Sequence, residues 1–183
     1  MWGQLRALIT EALDFNAEID RLVKLHGDRL PGRVGAAIGT GGDGNVYAFG
    51  AGGAIKVGRL NRTLYGQLER VLTVLEKHAP AGVVEVYEHG TLNESGDDVV
   101  YYYVMERLRK LTPTEGTVIG RLTFNIQGPD DPTPDLQARV DQFAEDMSEL
   151  PWSHLDPSPN NVMKSRNGEF KFVDIESFVP GID

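Results

Sequence analysis

The sequence contains no cysteine, which excludes disulfide bonds, thiolate metal ligands and a cysteine nucleophile. It has no run of about 18 apolar residues, so no transmembrane helix is expected. Acidic residues interrupt the apolar pattern of the N-terminal stretch, which argues against a secretory signal. Lysine and arginine form no cluster, and the formal net charge of the 183 residues is −9. Nucleic acid is therefore not expected as the main partner. The absence of cysteine suits a reducing cytoplasm, so we expect a cytoplasmic protein, and the absence of a long apolar run predicts no membrane contact.

Apolar periodicity predicts the secondary structure of the first half of the chain. Residues 3–26 have helical spacing, with a break at 14–16, and residues 33–58 read as three β-strands separated by glycines. A helix is expected over 62–78, capped by Asn61. Its buried stripe would consist of Leu64, Leu68, Val71, Leu72 and Leu75. Two further strands, "GVVEVYEHG" and "DDVVYYYVMERL", would be joined by the polar turn "NESGD".

The second half is less regular. Residues 109–135 hold four prolines and are expected to be mostly irregular, whereas residues 136–150 have the pattern of a helix. An apolar face of that helix, around Phe143 and Met147, would have little cover within the chain, so an interface is expected there. "VMKSRNGEFKFVD" reads as a β-hairpin, with Asn167-Gly168 as a type I′ turn.

A glycine-rich stretch, "IGTGGDGNVY", lies between the first two predicted strands and places glycines at 39, 41 and 44, just before Val46. Without Cβ atoms, Gly39, Gly41 and Gly44 would let the backbone fold over a triphosphate and present N–H groups to it. A glycine-rich hairpin without a ligand explains the pattern equally well.

Lys56, in "GAIKVG", alternates with Ile55 and Val57 along a short strand, so its side chain lies on the opposite face from theirs. If it points inward, its ammonium group needs an anionic partner, because an unpaired buried charge is costly. Glu69, on the following helix, is the better placed candidate, and Glu76 is the other. An exposed edge lysine remains the alternative.

"HLDPSPNNVM", residues 154–163, contains two prolines and must be a shaped loop. Asp156 and Asn161 are five residues apart in it, and Asp174 follows at the end of the predicted hairpin. Asn161 and Asp174 would be neighbours across the mouth of the hairpin, where their oxygens suit Mg²⁺. Asp156 would be free to accept a proton from a hydroxyl. Alternatively, Asp156 and Asn161 only cap turns.

Taken in order, these motifs resemble those of the protein kinase-like superfamily. "GTGGDGNV" matches the G-x-G-x-x-G-x-V loop, "AIK" the ATP-anchoring strand, "VMERL" the segment between the lobes, "HLDPSPNN" the H-x-D-x4-N loop, and "VDIE" stands at the Asp-Phe-Gly position. The resemblance implies an α+β, two-lobed fold with a five-stranded antiparallel sheet plus one helix and a strongly reduced second lobe. The domains would be an N-terminal helical segment (1–32), a nucleotide-binding lobe (33–108) and the second lobe (109–183).

The resemblance also implies roles for individual residues and the cofactors ATP and Mg²⁺. Asp156 would be the catalytic aspartate, Lys56 would hold the α- and β-phosphates while paired with Glu69, and Asn161 and Asp174 would bind Mg²⁺. The remaining nucleotide-binding positions would be the glycine loop together with Val46, Ala54, Met105, Glu106, Leu108 and Met163.

The sequence departs from the family pattern at several positions. Leu155 replaces an arginine, Ser158 replaces a lysine, Ile175-Glu176 replaces Phe-Gly, and the sequence ends at Asp183, before an activation segment. The loss of the lysine removes a positive charge near the transferred phosphoryl group.

The compact plan is similar to that of the small protein kinases of lytic tailed bacteriophages, which would place the protein in the host cytoplasm.

The expected function is ATP- and Mg²⁺-dependent phosphoryl transfer to serine or threonine hydroxyls of a protein substrate. Two alternatives stay open. One is a small-molecule phosphotransferase of the aminoglycoside type, and the other is a catalytically weak nucleotide-binding pseudokinase that regulates a partner. A homodimer or a host-protein complex is expected in addition.

Overall fold

The computed structural model describes residues 15–41, 44–124, 132–150, 152–153 and 158–180. The chain divides into two compact units. The sheet unit comprises Met1–Gly66 and Val86–Glu106, and the hairpin unit comprises Gln67–Glu85 and Arg107–Asp183. The described part has four α-helices and a five-stranded antiparallel sheet, so the α+β class and this sheet are as predicted. No described helix is both long and apolar enough to cross a membrane.

Within the described residues of the sheet unit, a helix (α1, residues 15–25) and a short 3₁₀ helix (Gly27–Arg29) precede the antiparallel sheet. Its strands are β1 (Val34–Thr40), β2 (Gly44–Phe49), β3 (Gly53–Asn61), β4 (Val86–Ser95) and β5 (Asp98–Glu106), in the spatial order β1-β2-β3-β5-β4.

One face of this sheet packs against α1. Ile55 and Val57 of β3 are fully buried in a cluster with Ile19, Leu22 and Val23 of the helix. Strand alternation explains the pattern, because odd-numbered residues of β3 share this face. Leu25, the last residue of α1, is 63% exposed.

The helix after β3, α2 (Arg62–Lys77), has nearly the predicted bounds. Asn61 caps it as predicted, since its side-chain oxygen accepts a hydrogen bond from Leu64 N at 2.9 Å. Four residues of the predicted stripe are buried, but Leu64 is 46% exposed. Tyr65 takes its place because its ring packs 5.9 Å from that of Tyr101. The rest of the buried stripe is Leu68, Val71, Leu72 and Leu75.

The hairpin unit contains the larger part of α2, two further helices and short strands. Helices α3 (Pro113–Phe124) and α4 (Pro134–Ser148) pack against each other. The strands are β6 (Trp152–Ser153), β7 (Val162–Lys164), β8 (Phe170–Phe172) and β9 (Val179–Pro180), with 3₁₀ helices at Pro159–Asn161 and Ile175–Ser177.

Helix α3 contradicts the prediction that residues 109–135 are mostly irregular. Pro113 occupies the first helical position, where its missing N–H costs nothing. Thr112 and Glu115 form a reciprocal capping box: Thr112 Oγ1 accepts from Glu115 N at 3.3 Å, and Glu115 Oε2 accepts from Thr112 N at 2.8 Å. Proline at this place starts a helix and does not break one.

Two turns also differ from the predictions. The β4–β5 turn is confined to Gly96-Asp97, because Asn93, Glu94 and Ser95 still pair with β5. In the β7–β8 hairpin, Gly168 N donates to Ser165 O at 3.1 Å, so the central residues of the turn are Arg166 and Asn167. Gly168 follows them with φ +93°, a conformation that favours glycine. The hairpin was predicted correctly, but its turn lies one residue earlier.

The predicted exposed face on α4 is absent from the described part of the chain. Phe143 is 2% exposed, because the ring of Phe170 from β8 meets it edge to face at 6.3 Å. Met147 is half-buried. The interface prediction assumed that nothing in the chain covers this helix, whereas α4 packs against β8. The expectation of a homodimer therefore loses this basis.

Candidate functional site

The glycine-rich stretch forms the connection between β1 and β2. Gly39 pairs with Val46, and Gly41 N donates to Gly44 O at 2.9 Å. Residues 42 and 43, at the tip, lie outside the described residues. The turn therefore presents backbone from Gly39 and Gly41 on one side and from Gly44 on the other.

The three glycines of this turn have different surroundings. A Cβ on Gly44 (φ +156°) would lie 2.3 Å from the carbonyl oxygen of Val57, so the pairing of β2 with β3 requires glycine there. At Gly39 and Gly41 the nearest atoms would be 3.7 and 3.6 Å away, which is ordinary contact. The packing of the described residues therefore explains one glycine of the motif and leaves two that the fold does not demand.

Four of the predicted nucleotide-binding residues share one face of the sheet. Lys56 lies opposite Val46 on one side and Tyr103 on the other, and Ala54 lies opposite Met105. Because Ile55 and Val57 point to the α1 side, strand alternation puts Lys56 on the other face. Lys56 is half-buried, whereas Ala54 and Met105 are buried.

Glu69, the predicted partner of Lys56, lies on α2 and is exposed. Its backbone oxygen accepts a hydrogen bond from Thr73 Oγ1 at 2.7 Å. Lys56 belongs to the sheet unit and Glu69 to the hairpin unit. Their pairing stays a prediction.

The segment after β5 carries Glu106 and Leu108, the predicted adenine-binding residues. Glu106 is the last residue of β5, opposite Gly53, and Leu108 is half-buried. Next to Leu108, Arg109 exchanges two backbone hydrogen bonds of 2.8 Å with Lys164. Leu108 precedes Arg109 and Met163 precedes Lys164. The two hydrogen bonds therefore hold the backbone segments that carry Leu108 and Met163 next to each other.

Asn161 and Asp174, the predicted metal ligands, flank the open end of the β7–β8 hairpin. Val162 pairs with Phe172, and beyond that pair Val173 N donates to Asn161 O at 2.9 Å. Asp174 is the next residue and precedes the 3₁₀ helix Ile175–Ser177. The backbones of Asn161 and Asp174 therefore lie close together across the open end of the hairpin, and both residues are half-buried.

Pro159 fixes the loop that leads into Asn161. The loop passes over α3, where Pro159 Cγ would lie 3.3 Å from a Cβ on Gly120 and its Cβ 3.9 Å from one on Gly116. Asn161 N donates to Ser158 O at 2.9 Å. Asp156 and Leu155 lie outside the described residues.

An ionic network centred on the buried Glu115, which was not predicted, supports this hairpin. Glu115 of α3 is 6% exposed, and its carboxylate accepts from Lys164 Nζ at 2.6 Å and from Thr112 Oγ1 at 3.0 Å. Arg139 of α4 lies 3.8 Å from the same carboxylate and donates to Gly168 O at 2.9 Å. The network joins both helices to both ends of the hairpin loop. The T-x-x-E capping signature around Thr112 could have identified Glu115 from the sequence.

The hydrogen bonds in this network determine the charge of Glu115. Burial acts to raise the pKa of its carboxyl group, but the hydrogen bonds from Lys164 and Thr112 outweigh burial. The pKa of Glu115 is therefore lowered from its ordinary value of 4.5. Glu115 is an ionised structural partner of Lys164 at neutral pH.

The described residues contain no group of three or more histidine, aspartate or glutamate side chains that could hold a metal ion. A pair such as Asn161 and Asp174 is smaller than such a group.

No protein-family model matches the chain, and a search of curated proteins found no match.

Proposed function

We propose that the chain is an ATP- and Mg²⁺-dependent kinase with a reduced protein kinase-like fold, which transfers a phosphoryl group to serine or threonine hydroxyls of proteins. The observation that carries this proposal is the shared sheet face of Val46, Ala54, Lys56 and Met105. On this face, the lysine could bind the phosphates of a nucleotide, and the apolar residues beside it could contact the flat, apolar base.

The glycine turn supports the same proposal. Gly39 and Gly41 are not required by the packing of the described residues, yet both lack a side chain. A ligand that approaches the backbone closely gives a reason for glycine at these two positions. Backbone N–H groups and one lysine could then bind a polyanion despite the net charge of −9.

In the hairpin unit, Asn161 and Asp174 supply an amide and a carboxylate from adjacent backbone positions. Their donors fit Mg²⁺, which takes few protein ligands and completes its shell with water and phosphate oxygens. The bound metal would neutralise charge on the phosphates. Asp156 would orient the acceptor hydroxyl and accept its proton, as the resemblance implies.

A phosphorylation assay with radiolabelled ATP tests the proposal. Wild type should label itself or a mixture of protein acceptors, while Lys56→Ala and Asp174→Ala should lose most of that signal. Asp141→Ala is the matched control, because Asp141 is an exposed carboxylate on α4 that bonds only to Gln137 among the described contacts. If wild type transfers no more label than Asp174→Ala to any acceptor, a kinase function is wrong.

Nucleotide binding without turnover is the second candidate, and Ser158 favours it. This residue stands where the family has a lysine, so one positive charge that stabilises the transferred phosphoryl group is missing. Tight ATP binding with no transfer, in wild type and in Ser158→Lys, would favour this candidate. Transfer to small hydroxylated acceptors only would instead indicate a small-molecule phosphotransferase.

A further inference from the structure

A buried polar network joins α1 to β2 directly beside the glycine turn. The Asn45 amide Nδ2 lies 3.0 Å from Asn16 O, 3.1 Å from Asp20 Oδ1 and 3.3 Å from the Tyr47 hydroxyl. The same hydroxyl donates to Asp20 Oδ1 at 2.5 Å. Two residues of β2 are therefore bound to one carboxylate of the helix.

This network is more polar than packing alone requires. Asn45 is 1% exposed and Tyr47 5% exposed, so both are buried, and Tyr47 belongs to the apolar cluster between α1 and the sheet. The Oδ1 atom of Asn45 is buried and has no hydrogen-bond partner among the described residues. A buried acceptor without a partner costs stability, and an apolar residue in its place would avoid that cost. Packing therefore gives no reason to keep an asparagine here.

The position of Asn45 in the chain supplies a reason. It stands between Gly44, the last glycine of the turn, and Val46, which faces the Lys56 side of the sheet. Its own side chain points to the α1 face, opposite Val46, because its amide bonds to Asn16 and Asp20 of that helix. The network thus fixes the backbone at the base of the glycine turn from the far side of the sheet, where it cannot obstruct a ligand.

We propose that Asp20, Asn45 and Tyr47 are positioning residues for the nucleotide phosphates, so that α1 is a functional part of the nucleotide site. Their bonds hold the base of the glycine turn in the conformation that receives the phosphates. This inference rests on the proposed function, because it assumes that the turn covers a nucleotide.

Nucleotide affinity, measured by calorimetry on the full chain, separates this role from a merely structural one. Asn45→Ala and Tyr47→Phe should each weaken binding of MgATP about tenfold, the worth of one lost hydrogen bond. Affinity for adenosine, which has no phosphates, should stay unchanged. Tyr47→Phe preserves the shape of the side chain, so it keeps the test valid if Asn45→Ala fails to fold.

Arg29→Ala is the matched control. It removes one hydrogen bond of 2.9 Å, from Arg29 Nη1 to Leu92 O, which ties the same N-terminal segment to β4. Because β4 is at the opposite edge of the sheet from β1, this bond does not reach the glycine turn. Arg29→Ala should leave the affinities for MgATP and for adenosine at their wild-type values.

The possible results are distinct. Selective loss of MgATP affinity in the network variants supports the inference. Equal loss of MgATP and adenosine affinity, or the same loss in Arg29→Ala, would show a structural role only and overturn it. Unchanged MgATP affinity in Tyr47→Phe and Asn45→Ala would also overturn it while leaving the kinase proposal intact. A wild type that binds neither ligand would overturn both.

Discussion

The two units support their candidate site residues in different ways. In the sheet unit, Lys56 and its neighbours lie on a regular ladder in which β3 pairs with β5 over nine residue pairs. In the hairpin unit, Asn161 and Asp174 flank strands of only three residues each. The ladder fixes side-chain direction by backbone alternation alone, whereas so short a hairpin needs additional support from the ionic network of the buried Glu115 with Lys164 and Arg139.

This difference indicates where each unit is vulnerable. A sheet unit held by backbone pairing should be most sensitive to atoms that push two strands apart. A hairpin unit held by buried charge should be most sensitive to the loss of one charged partner. Substitutions in the two units should therefore differ in the size of their effects.

Gly44→Ala should have the largest effect. The added Cβ would lie 2.3 Å from Val57 O, so β2 and β3 must separate, at a cost of about 4 kcal/mol in the free energy of unfolding. Gly39→Ala, which meets nothing closer than 3.7 Å, should cost less than about 1 kcal/mol but weaken ATP binding. Urea denaturation and calorimetry measure the two effects. Equal stability losses in both variants would contradict the steric argument.

Glu115→Ala should destabilise the hairpin unit by about 3 kcal/mol, because Lys164 loses its partner in a half-buried place. The comparison variant is Glu94→Ala in the sheet unit. Its ion pair with Arg62 is 46% and 57% exposed, so the loss should stay below about 1 kcal/mol. Urea denaturation of both variants gives the difference. Similar losses would show that burial does not distinguish the two pairs.

The pH dependence of stability should differ between the units. The lowered pKa of Glu115 makes its contribution fully present above 4.5 and lost as the pH falls through the folded pKa. Burial, followed by the hydrogen bond with Asp20, raises the pKa of Tyr47 far above its ordinary value of 10.0. Its contribution is therefore present below pH 10 and lost as the pH rises further.

Two shape-preserving variants test this difference through urea midpoints across the pH range. Glu115→Gln should flatten the acid side of the stability profile only, and Tyr47→Phe should flatten the alkaline side only. The effect should be smaller than that of Glu115→Ala, since each variant keeps the packing of its side chain. A variant that changes both sides alike would argue against these assignments.

The helix caps should give the smallest effect, and it should be the same in both units. Asn61 caps α2, and Thr133 caps α4 by accepting from Leu136 N at 3.3 Å. Asn61→Ala and Thr133→Ala should each cost about 1 kcal/mol, measured by urea denaturation. Thr114→Ala on α3, an exposed helical position without a capping bond among the described contacts, is the control and should change stability little.

Much of the sheet unit could be predicted because its signals are local. Period-2 alternation predicted the strands, and Asn61, as an N-cap residue, predicted the start of α2. The failures in predicting burial have one cause, which is that position in the fold overrode composition. Leu64 is apolar but lies beside the packed stripe of α2, and Phe143 is covered by a hairpin 27 residues further along the chain. The prediction missed α3 for a local reason, because Pro113 starts that helix and does not break it.

The candidate site was predictable to the same extent. The sequence predicted that Lys56 lies on the other face of the strand from Ile55 and Val57, and that Asn161 lies near the end of the hairpin. Both predictions were possible because strand alternation and hairpin pairing follow from local pattern. It could not indicate the bonds of Asn45 to Asp20 or of Lys164 to Glu115, which join residues 25 and 49 positions apart. The capping signature marks Glu115 as a residue of a helix start, but nothing local indicates that it binds Lys164 or distinguishes Asn45 from a solvated residue.

By itself, the sequence determined the strands of the five-stranded sheet, the glycine turn and the face of the sheet on which Lys56 lies, since hydrogen-bonding geometry and side-chain alternation act between near neighbours. Only the tertiary structure decided which glycine the fold requires and which charged groups are buried. Those outcomes depend on contacts between distant segments, such as Gly44 against Val57 and Glu115 against Lys164, and a linear pattern does not specify them.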